Sequence, residues 1–421
     1  MLFKNPGESG VFPRLARAVS LEAVSSNETR DLIYSAAADM VAEAEKFSLR
    51  GDLWEFFFAL AVVQDENPIC RAYERRPAPA EIFEILAYDL WSLHKSVSVI
   101  KSMAGADAAY GPLRALGDFS PRTGSEMSGA KRAYGDVAAL AAKIASASSP
   151  LEMTAALGDF CENCGAGIFA VDCAFTWDSS RKSLAPVDGM DPWTLGSMIG
   201  YAEQKRELLA NTESFLSGNP SNNVLLFGDS GTGKSSSVRA LLNEPGFVRR
   251  GLRVIELRHD QFGDIPDILN IIRRRNYRFI LFMDDLSFEE FEVGYKHLKA
   301  LIEGGLERRP DNAVVYATSN RRNIIREVWG DRAAASDDVH GRDTMQEKQS
   351  LADRFGVAIW YPSAGKDDYL SMVRAIAGEM GLVMEIPEME ALAMRWELER
   401  GGFTGRAARQ FVCQMLQRKA R

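Results

Sequence analysis

The chain is poor in the residues from which disulfide frameworks, metal clusters and membrane spans are built. Its five cysteines, among 421 residues, are too few and too scattered for a disulfide framework, and its four histidines show no ligand spacing. The longest apolar run, Leu53–Val63, is too short to cross a bilayer, and residues 1–20 lack the apolar core of a signal peptide. These features predict a reduced, soluble, cytoplasmic protein without a membrane partner.

An excess of positive charge is also missing. The formal net charge of −8 and the pI near 5.3 argue against a nucleic-acid coat protein, although a local basic face stays open. The length predicts about two or three domains, each able to bury its own core.

Hydrophobic periodicity divides the chain into four parts. Residues 1–27 show little periodicity and are predicted to be a flexible arm. Residues 28–185 are predicted to form an N-terminal helical domain, because their apolar residues recur at helical spacing. Strands and helices alternate over 191–362, which is typical of an α/β core with a parallel sheet, and helical spacing returns in a tail at 363–421.

Two segments and one cysteine motif interrupt this scheme. Residues 104–130 are predicted to be an exposed connection, and Arg326–Gln349 a flexible insertion. Cys161 and Cys164 form a CENC motif. A redox or zinc role would need a second ligand pair or a thioredoxin-like context, and the alternative is buried or bystander thiols.

The most informative stretch is 222–236, which reads NNVLLFGDSGTGKSS. The apolar run Val224–Phe227 predicts a buried strand, and the pattern G-x-x-x-x-G-K-S at Gly228–Ser235 predicts a phosphate-binding loop that opens a helix. Such glycines let backbone N–H groups surround an anion, and the helix N-terminus adds a positive dipole. The alternative is an accidental match at an ordinary strand–turn–helix, but the strand and the helix both stand where the loop needs them.

The loop therefore predicts a nucleoside triphosphate site. Lys234 is expected to reach the β- and γ-phosphates as a surface-facing charge, and the Ser235 hydroxyl to bind Mg²⁺. The predicted nucleotide-binding residues of the loop are Gly228, Asp229, Ser230, Gly231, Thr232, Gly233, Lys234, Ser235 and Ser236.

Polar side chains follow two later hydrophobic runs. FILFMDD ends in Asp284, predicted to be a Mg²⁺ ligand, and Asp285, predicted to polarise the attacking water. A solvated helix cap is the alternative for this pair. AVVYATSN ends in Asn320, at the edge where open α/β sheets bind ligands. Asn320 is predicted to position water and sense the γ-phosphate, with an ordinary turn residue as the alternative.

Two arginines complete the pattern. Arg354 precedes a late strand, and Arg406 opens a helix in which Arg409 lies on the same face. Arginine stabilises charge on a transferring phosphoryl group. Each arginine alone is more often a surface residue, and only the order of all the motifs favours a functional role.

This order of motifs resembles that of AAA+ ATPases. More closely, residues from about Asp191 to Arg421 resemble the bacterial family called domain of unknown function 815. The stretches that carry the resemblance are IGYAEQKRELLANTESFLSGNPSNNVLLFGDSGTGKSS, FILFMDDLSFE, VVYATSNRRN, SLADRFG and TGRAARQFV.

The resemblance implies a fold, cofactors and an assembly state. The fold is a three-layer P-loop NTPase core with a C-terminal helical lid, the cofactors are ATP and Mg²⁺, and the protein assembles as a homo-oligomer. Gly228–Ser235 would be the Walker A loop, Asp284 and Asp285 the Walker B acids, and Asn320 the first sensor. Asp285 stands where most AAA+ enzymes carry glutamate, and its shorter side chain implies slower hydrolysis.

The same resemblance implies roles for residues outside these motifs. Arg354 would be an arginine finger that acts on the nucleotide of a neighbouring subunit, and Arg406 a second sensor. Ile199 and Gly200 match the turn that lines the adenine pocket.

These features favour an ATPase that remodels or loads a protein or nucleic-acid partner. The alternative is an ATP-gated assembly module, similar to a helicase loader, in which slow hydrolysis only resets the protein. A P-loop kinase is a third interpretation, which the helical tail and the arginine finger fit poorly. Phe262 and Gly263 follow the second strand and are candidates for a translocating loop, with an ordinary turn as the alternative.

Overall fold

In the computed structural model the chain divides into two compact units. The first comprises Met1–Cys173 and Pro186–Met190, and the second Ala174–Ala185 and Asp191–Arg421. The structure describes residues 27–65, 70, 80–106, 108–122, 130–187, 190–286, 302, 309–320, 355–400 and 402–419.

The first unit is helical in its described part. Its helices are α1 (Asn27–Phe47), α2 (Leu53–Gln64), α3 (Ala80–Ala106), α4 (Ala130–Ser146), α5 (Pro150–Cys164) and α6 (Ile168–Val171). Helix α2 is apolar on every side and buries ten of its twelve residues, as a helix at the centre of a core does. It begins where the Asp52 carboxylate accepts hydrogen bonds from the N–H groups of Trp54 and Glu55.

The connection predicted at 104–130 differs from expectation over its described residues. Ala108–Asp118 form a 3₁₀ segment in which Leu113 and Leu116 are buried in the core of the first unit. These leucines are three positions apart, a spacing that brings side chains into line on a 3₁₀ helix. The high content of glycine and alanine in this stretch led to the prediction of an exposed connection and hid its apolar face.

The thiols of the CENC motif lie at the end of α5. Cys161 is buried and Cys164 is half-buried. Over the described ranges, no three or more His, Cys, Asp or Glu side chains are grouped so that they could hold a metal ion.

The second unit is built on a seven-stranded sheet with the order β2-β1-β4-β5-β6-β3-β7. Its strands are β1 (Ala174–Asp178), β2 (Ser183–Pro186), β3 (Val224–Gly228), β4 (Leu252–Leu257), β5 (Arg278–Met283), β6 (Ala313–Ser319) and β7 (Val357–Tyr361). From β1 to β7, every neighbouring pair is parallel. Strand β3 lies between β6 and β7, with Leu225 opposite Ala317 and Ala358.

Helices cover this sheet and follow it. Those within the core are α7 (Ala202–Leu216), α8 (Lys234–Ala240) and α9 (Ile265–Ile272), and those of the tail are α10 (Lys366–Glu379), α11 (Ile386–Arg400) and α12 (Gly405–Lys419). The tail has its own hydrophobic core, to which Tyr369, Val373 and Phe411 contribute. The alternating strands and helices predicted over 191–362 and the helical tail predicted over 363–421 are present in the described residues.

Strands β1 and β2 were not predicted. Apart from the last residue of β2, they lie within residues 28–185, for which the sequence predicts helices, and they extend the sheet beyond β4. Both are short, and β1 is held by pairing of Ala174 with Val254 and of Thr176 with Glu256. Partners so distant in sequence leave no signal in local periodicity, which explains the error.

Among the described residues, the structure contains no helix whose length and apolar character would suit it to cross a membrane.

A group of charged side chains lies within the first unit. The buried Glu55 carboxylate accepts hydrogen bonds from Lys101 Nζ at 2.9 Å and pairs with His94 Nε2 at 2.8 Å. Lys101 Nζ also donates to Asp52 at 2.6 Å. Burial alone would raise the pKa of Glu55, but the hydrogen bonds and charges of His94 and Lys101 outweigh it and lower the pKa.

Glu55→Gln is therefore expected to destabilise α2 at neutral pH. The loss in the free energy of local unfolding should be about 1–3 kcal/mol, because a buried charged hydrogen bond is lost. A carboxyl group whose pKa is lowered on folding stabilises the fold above its unfolded pKa, and the effect is lost as pH falls through the folded value. The difference from the parent should therefore shrink at acidic pH. Hydrogen exchange of peptides from 53–64 measures it.

The matched control is Glu84→Gln, at an exposed position of α3. It should leave exchange in α2 unchanged. If Glu55→Gln also leaves it unchanged between neutral and acidic pH, Glu55 does not stabilise the unit.

Candidate nucleotide-binding site

The carboxyl ends of β3, β5 and β6 open into a cleft of about 770 Å³, whose other wall is formed by the tail. This volume is in the range of small-molecule sites. The predicted site residues that line the cleft are Ile199, Gly231, Thr232, Gly233, Lys234, Ser235, Ser236, Asp284, Asp285, Asn320 and Arg406. Residues far apart in sequence therefore meet in one cavity.

The phosphate loop begins at a glycine that no other residue could replace without strain. Gly228 has φ +134°, and a Cβ at this position would lie 2.1 Å from the carbonyl oxygen of Tyr361. The backbone of β3 therefore approaches β7 more closely than a side chain allows. The next N–H group, that of Asp229, donates to the same Tyr361 carbonyl at 3.2 Å.

Lys234 is buried rather than surface-facing, which corrects the sequence-based expectation. Its side chain folds back into the loop, and Nζ donates to the carbonyl oxygens of Gly228 at 3.0 Å and Asp229 at 2.7 Å. Burial lowers the pKa of Lys234, and the charges of Asp229, Asp285 and Asp284 oppose that shift only in part. A phosphate bound here would replace these carbonyls as the partner of the ammonium group.

Asp284 receives hydrogen bonds on both of its carboxylate oxygens. Oδ1 accepts from Ser235 Oγ at 2.5 Å and from Thr318 Oγ1 at 2.7 Å, while Oδ2 accepts from Arg239 Nη2 at 3.1 Å. A hydroxyl and a carboxylate in contact fit Mg²⁺, which prefers hard oxygen ligands and takes its remaining ligands from phosphates and water. The residues present are therefore compatible with the ion that the fold implies.

Asp285 adopts a left-handed backbone conformation directly after β5, with φ +54°. Its N–H group donates to Thr318 Oγ1 at 2.9 Å, and its Oδ1 accepts from Asn320 Nδ2 at 2.6 Å. Aspartate tolerates this conformation better than most residues. The turn separates the two acids, so that Asp284 faces Ser235 and Asp285 faces Asn320.

The first turn of the tail helix α12 packs on the phosphate loop. The helix begins where Thr404 Oγ1 accepts a hydrogen bond from the N–H group of Ala407 at 3.2 Å. A Cβ on Gly231, which has φ +78°, would lie 3.1 Å from Cβ of Arg406. Arg406 Nη1 lies 3.4 Å from Ser230 Oγ.

Arg409 also lines the cleft, but its guanidinium carbon lies 5.3 Å from the centre of the Trp193 ring. This is a cation–π distance. Trp193 is in turn held through its carbonyl oxygen, which accepts from Asn243 Nδ2 at 2.7 Å. Of the two arginines, Arg406 is thus the one that reaches the loop.

Of the turn predicted to line the adenine pocket, Ile199 lines the cleft. Gly200, which has φ +77°, is not one of the lining residues. A Cβ on Gly200 would lie 3.9 Å from the side chains of Asp368 and Met372 in α10. The next residue, Tyr201, donates from its hydroxyl to the carbonyl of Pro362 at 2.8 Å, which ties the turn to the end of β7.

Sequence reasoning missed several side chains of the site. Arg239 and Glu256 form an ion pair next to Asp284, and Thr318 donates to Asp284 although only Asn320 was singled out in its strand. Thr318 could have been found as a polar residue ending a buried strand. Nothing local marks Arg239 or Glu256. The predicted finger Arg354 lies outside the described residues, as does the predicted insertion Arg326–Gln349.

The sheet order, the phosphate loop and the helical tail define a P-loop NTPase fold of the AAA+ type. The loop follows β3, which lies between β6, the strand before Asn320, and β7. Residues 171–419 match the family described as "Protein of unknown function (DUF815)", and the chain belongs to this family.

Solved structures with a similar chain path include RuvB of Thermotoga maritima, titled a Holliday junction branch migration motor. It is 17% identical, with a TM-score of 0.38, and the match covers 53% of this chain and 64% of that chain. A variant of the same protein is 18% identical, with the same TM-score and coverage. The chain therefore spans 64% of the length of the first of these structures. No curated protein matches the sequence.

Gly228→Ala is expected to disrupt the phosphate loop. The new methyl group would collide with the Tyr361 carbonyl, and relief of the clash requires β3 and β7 to separate. Strain of this kind destabilises by about 1–3 kcal/mol. Calorimetric unfolding should show a lower transition temperature for the core.

Gly263→Ala is the control, because a Cβ at Gly263 meets no atom within 4 Å. It should unfold as the parent does. Equal transition temperatures for all three proteins would show that the close approach at Gly228 is not needed.

Proposed function

We propose that this chain binds ATP with Mg²⁺ in the cleft and hydrolyses it, as one subunit of a homo-oligomer that remodels or loads a protein or nucleic-acid partner. One observation carries the proposal. Residues 231–236 of the phosphate loop line a single cleft of about 770 Å³ together with Asp284, Asp285, Asn320 and Arg406. This set of groups is what phosphoryl transfer to water requires.

The phosphate end of the cleft is assigned to binding. Lys234 would leave the loop carbonyls for the β- and γ-phosphates, and Arg406, which already lies beside Ser230, would contact the phosphates from the tail. Ser235 and Asp284 would hold Mg²⁺, which when bound neutralises charge on the phosphate oxygens. The adenine ring would lie toward Ile199.

Asp285 is assigned to the attacking water. A carboxylate at this edge can accept a proton from water as it attacks the γ-phosphate. Asn320 holds Asp285 Oδ1 at 2.6 Å and would orient it. Arg354 is proposed, from the family resemblance, as the finger that stabilises the transferring phosphoryl group of a neighbouring subunit.

An ATP-gated assembly module with slow hydrolysis is the second candidate. The hydrogen bond between Asn320 and Asp285 favours it. The side chain of Asp285 is shorter than that of glutamate, and one of its oxygens is already engaged by Asn320. Both features reduce its access to water. Measured turnover with and without added protein or nucleic acid separates the two candidates.

A motor that translocates its partner by means of a loop at Phe262 and Gly263 is less well supported. The candidate aromatic loop would need Phe262 to project from the surface. Phe262 is buried in a 3₁₀ segment, His259–Asp264. Next to it, Gln261 is also buried and donates from Nε2 to the Trp177 carbonyl at 2.7 Å.

The two acids are expected to separate binding from hydrolysis. Asp285→Asn should bind a fluorescent ATP analogue like the parent but release phosphate about 10²-fold more slowly or worse, because it removes the proton acceptor. Asp284→Asn should instead weaken the Mg²⁺-dependent part of binding. Analogue titration with and without Mg²⁺, together with a phosphate-release assay, measures both effects.

Asp367→Asn, at an exposed position in the first turn of α10, is the control and should behave like the parent. Parental turnover in both Asp284→Asn and Asp285→Asn would refute the assignment.

Arg354→Ala is expected to bind ATP normally yet lose about 10³-fold or more in hydrolysis, because a finger acts on the transition state. Lys234→Met should lose its own phosphate contact while keeping a finger for its neighbour. Methionine is chosen because Lys234 is buried. If the finger acts between subunits, mixing the two inactive proteins should restore part of the turnover.

Co-assembly of the variants is checked by size-exclusion chromatography with light scattering. A mixture that assembles but stays inactive would refute action between subunits.

A further inference from the structure

Arg239 lies between two carboxylates at the carboxyl edge of the sheet. It belongs to α8, the helix that follows the phosphate loop. Its Nη2 lies 3.0 Å from Glu256 Oε1 and 3.1 Å from Asp284 Oδ2, and its Nε lies 3.4 Å from Glu256 Oε2. One guanidinium group thus bridges the end of β4 and the end of β5.

The contacts of Arg239 are unequal. Glu256 binds it through two nitrogen atoms, in the fork geometry that makes arginine–carboxylate pairs strong. The Phe282 ring supports it from one side, with its centre 5.5 Å from the guanidinium carbon. Asp284 contacts Arg239 only through Nη2, which also binds Glu256. If Asp284 lost this contact, Glu256 and Phe282 would still hold Arg239 in place.

The contact with Asp284 occupies the oxygen that the hydroxyl groups leave open. Ser235 and Thr318 donate to Oδ1, and Arg239 donates to Oδ2. A divalent cation held by Ser235 and Asp284 would therefore share this carboxylate with a positive charge already present. Repulsion between the cation and the guanidinium would oppose binding of the cation.

We propose that Arg239 is a positioning residue, which holds the carboxylate of Asp284 in place in the absence of metal. Together with Glu256, it sets the affinity of the nucleotide site for Mg²⁺. On metal binding, Arg239 would lose its contact with Asp284 and would keep its pair with Glu256. This inference rests on the proposed function, because the metal in question is the one that accompanies ATP.

The two partners of the pair have opposite expected effects. Without Arg239, Asp284 and Glu256 lose a neutralising charge, and Mg²⁺ should bind more tightly. Without Glu256, the whole charge of Arg239 acts on Asp284, and Mg²⁺ should bind more weakly. A purely structural pair would impair binding in both variants. The side chains are about one third to one half exposed, so each shift should be on the order of two- to fivefold.

The experiment measures the Mg²⁺ concentration that gives half-maximal tightening of a fluorescent ATP analogue, for Arg239→Gln and Glu256→Gln in the full chain. Glutamine keeps a polar side chain at each position. Arg239→Lys should restore the parental value in part, since it returns the charge without the fork. Arg395→Gln and Glu399→Gln, which break an exposed ion pair on α11, are the matched controls and should change nothing.

A lower half-maximal Mg²⁺ concentration for Arg239→Gln with a higher one for Glu256→Gln supports the proposal. Shifts of the same sign, or none, overturn it while leaving the proposed ATP site intact. Weaker binding of the analogue to Arg239→Gln in EDTA also overturns it, because Arg239 would then contact the phosphates. If the parent fails to bind the analogue with or without Mg²⁺, the proposed function and this inference fall together.

Discussion

Negative charge collects at the carboxyl edge of the sheet, and its neutralisation is the constraint on which the site depends. Asp284 and Asp285 follow β5, and Glu256 lies near the end of the neighbouring β4. Hydrogen bonds from the hydroxyl groups of Ser235 and Thr318 and the charge of Arg239 balance Asp284, and Arg239 also pairs with Glu256. Burial alone would lower the pKa of Arg239, but the hydrogen bonds and charges of Glu256 and Asp284 outweigh it and raise the pKa. A ligand that brought both phosphates and a cation would replace these hydrogen bonds and ion pairs with contacts to itself.

The phosphate loop also takes its hydrogen-bond partners from within the protein. Lys234 Nζ donates to the carbonyl oxygens of Gly228 and Asp229 within the loop. The loop is joined to the rest of the core at Asp229, whose carboxylate accepts from the N–H and hydroxyl groups of Ser363, just after β7. The first turn of α12 touches Gly231 on its other side. The loop thus contacts the segment that leads into the tail and also the last helix of the tail, and these contacts would connect the nucleotide of the proposed ATPase with its tail.

Much of the core was predictable because its signals are local. The apolar runs at β3, β5 and β6 are buried over nearly their whole length, as strands covered on both faces of a parallel sheet must be. The polar residues that follow these runs lie together because parallel strands end at one edge. The errors have different causes. Strand β1 depends on pairing with β4, which is distant in sequence, whereas Lys234 is buried because its side chain folds onto carbonyl oxygens of its own loop.

The sequence by itself determined the phosphate loop, the acids after β5, Asn320 and the helical tail, because each is encoded by spacing within one strand, turn or helix. Only the tertiary structure decided which charges these groups meet. Arg239 is 17 residues from Glu256 and 45 from Asp284, and no periodicity links them. Their contact exists because β4 and β5 are neighbours in the sheet and α8 packs beside their ends. Charged side chains balance one another only when they are close in space, and their spacing in the sequence does not predict that distance.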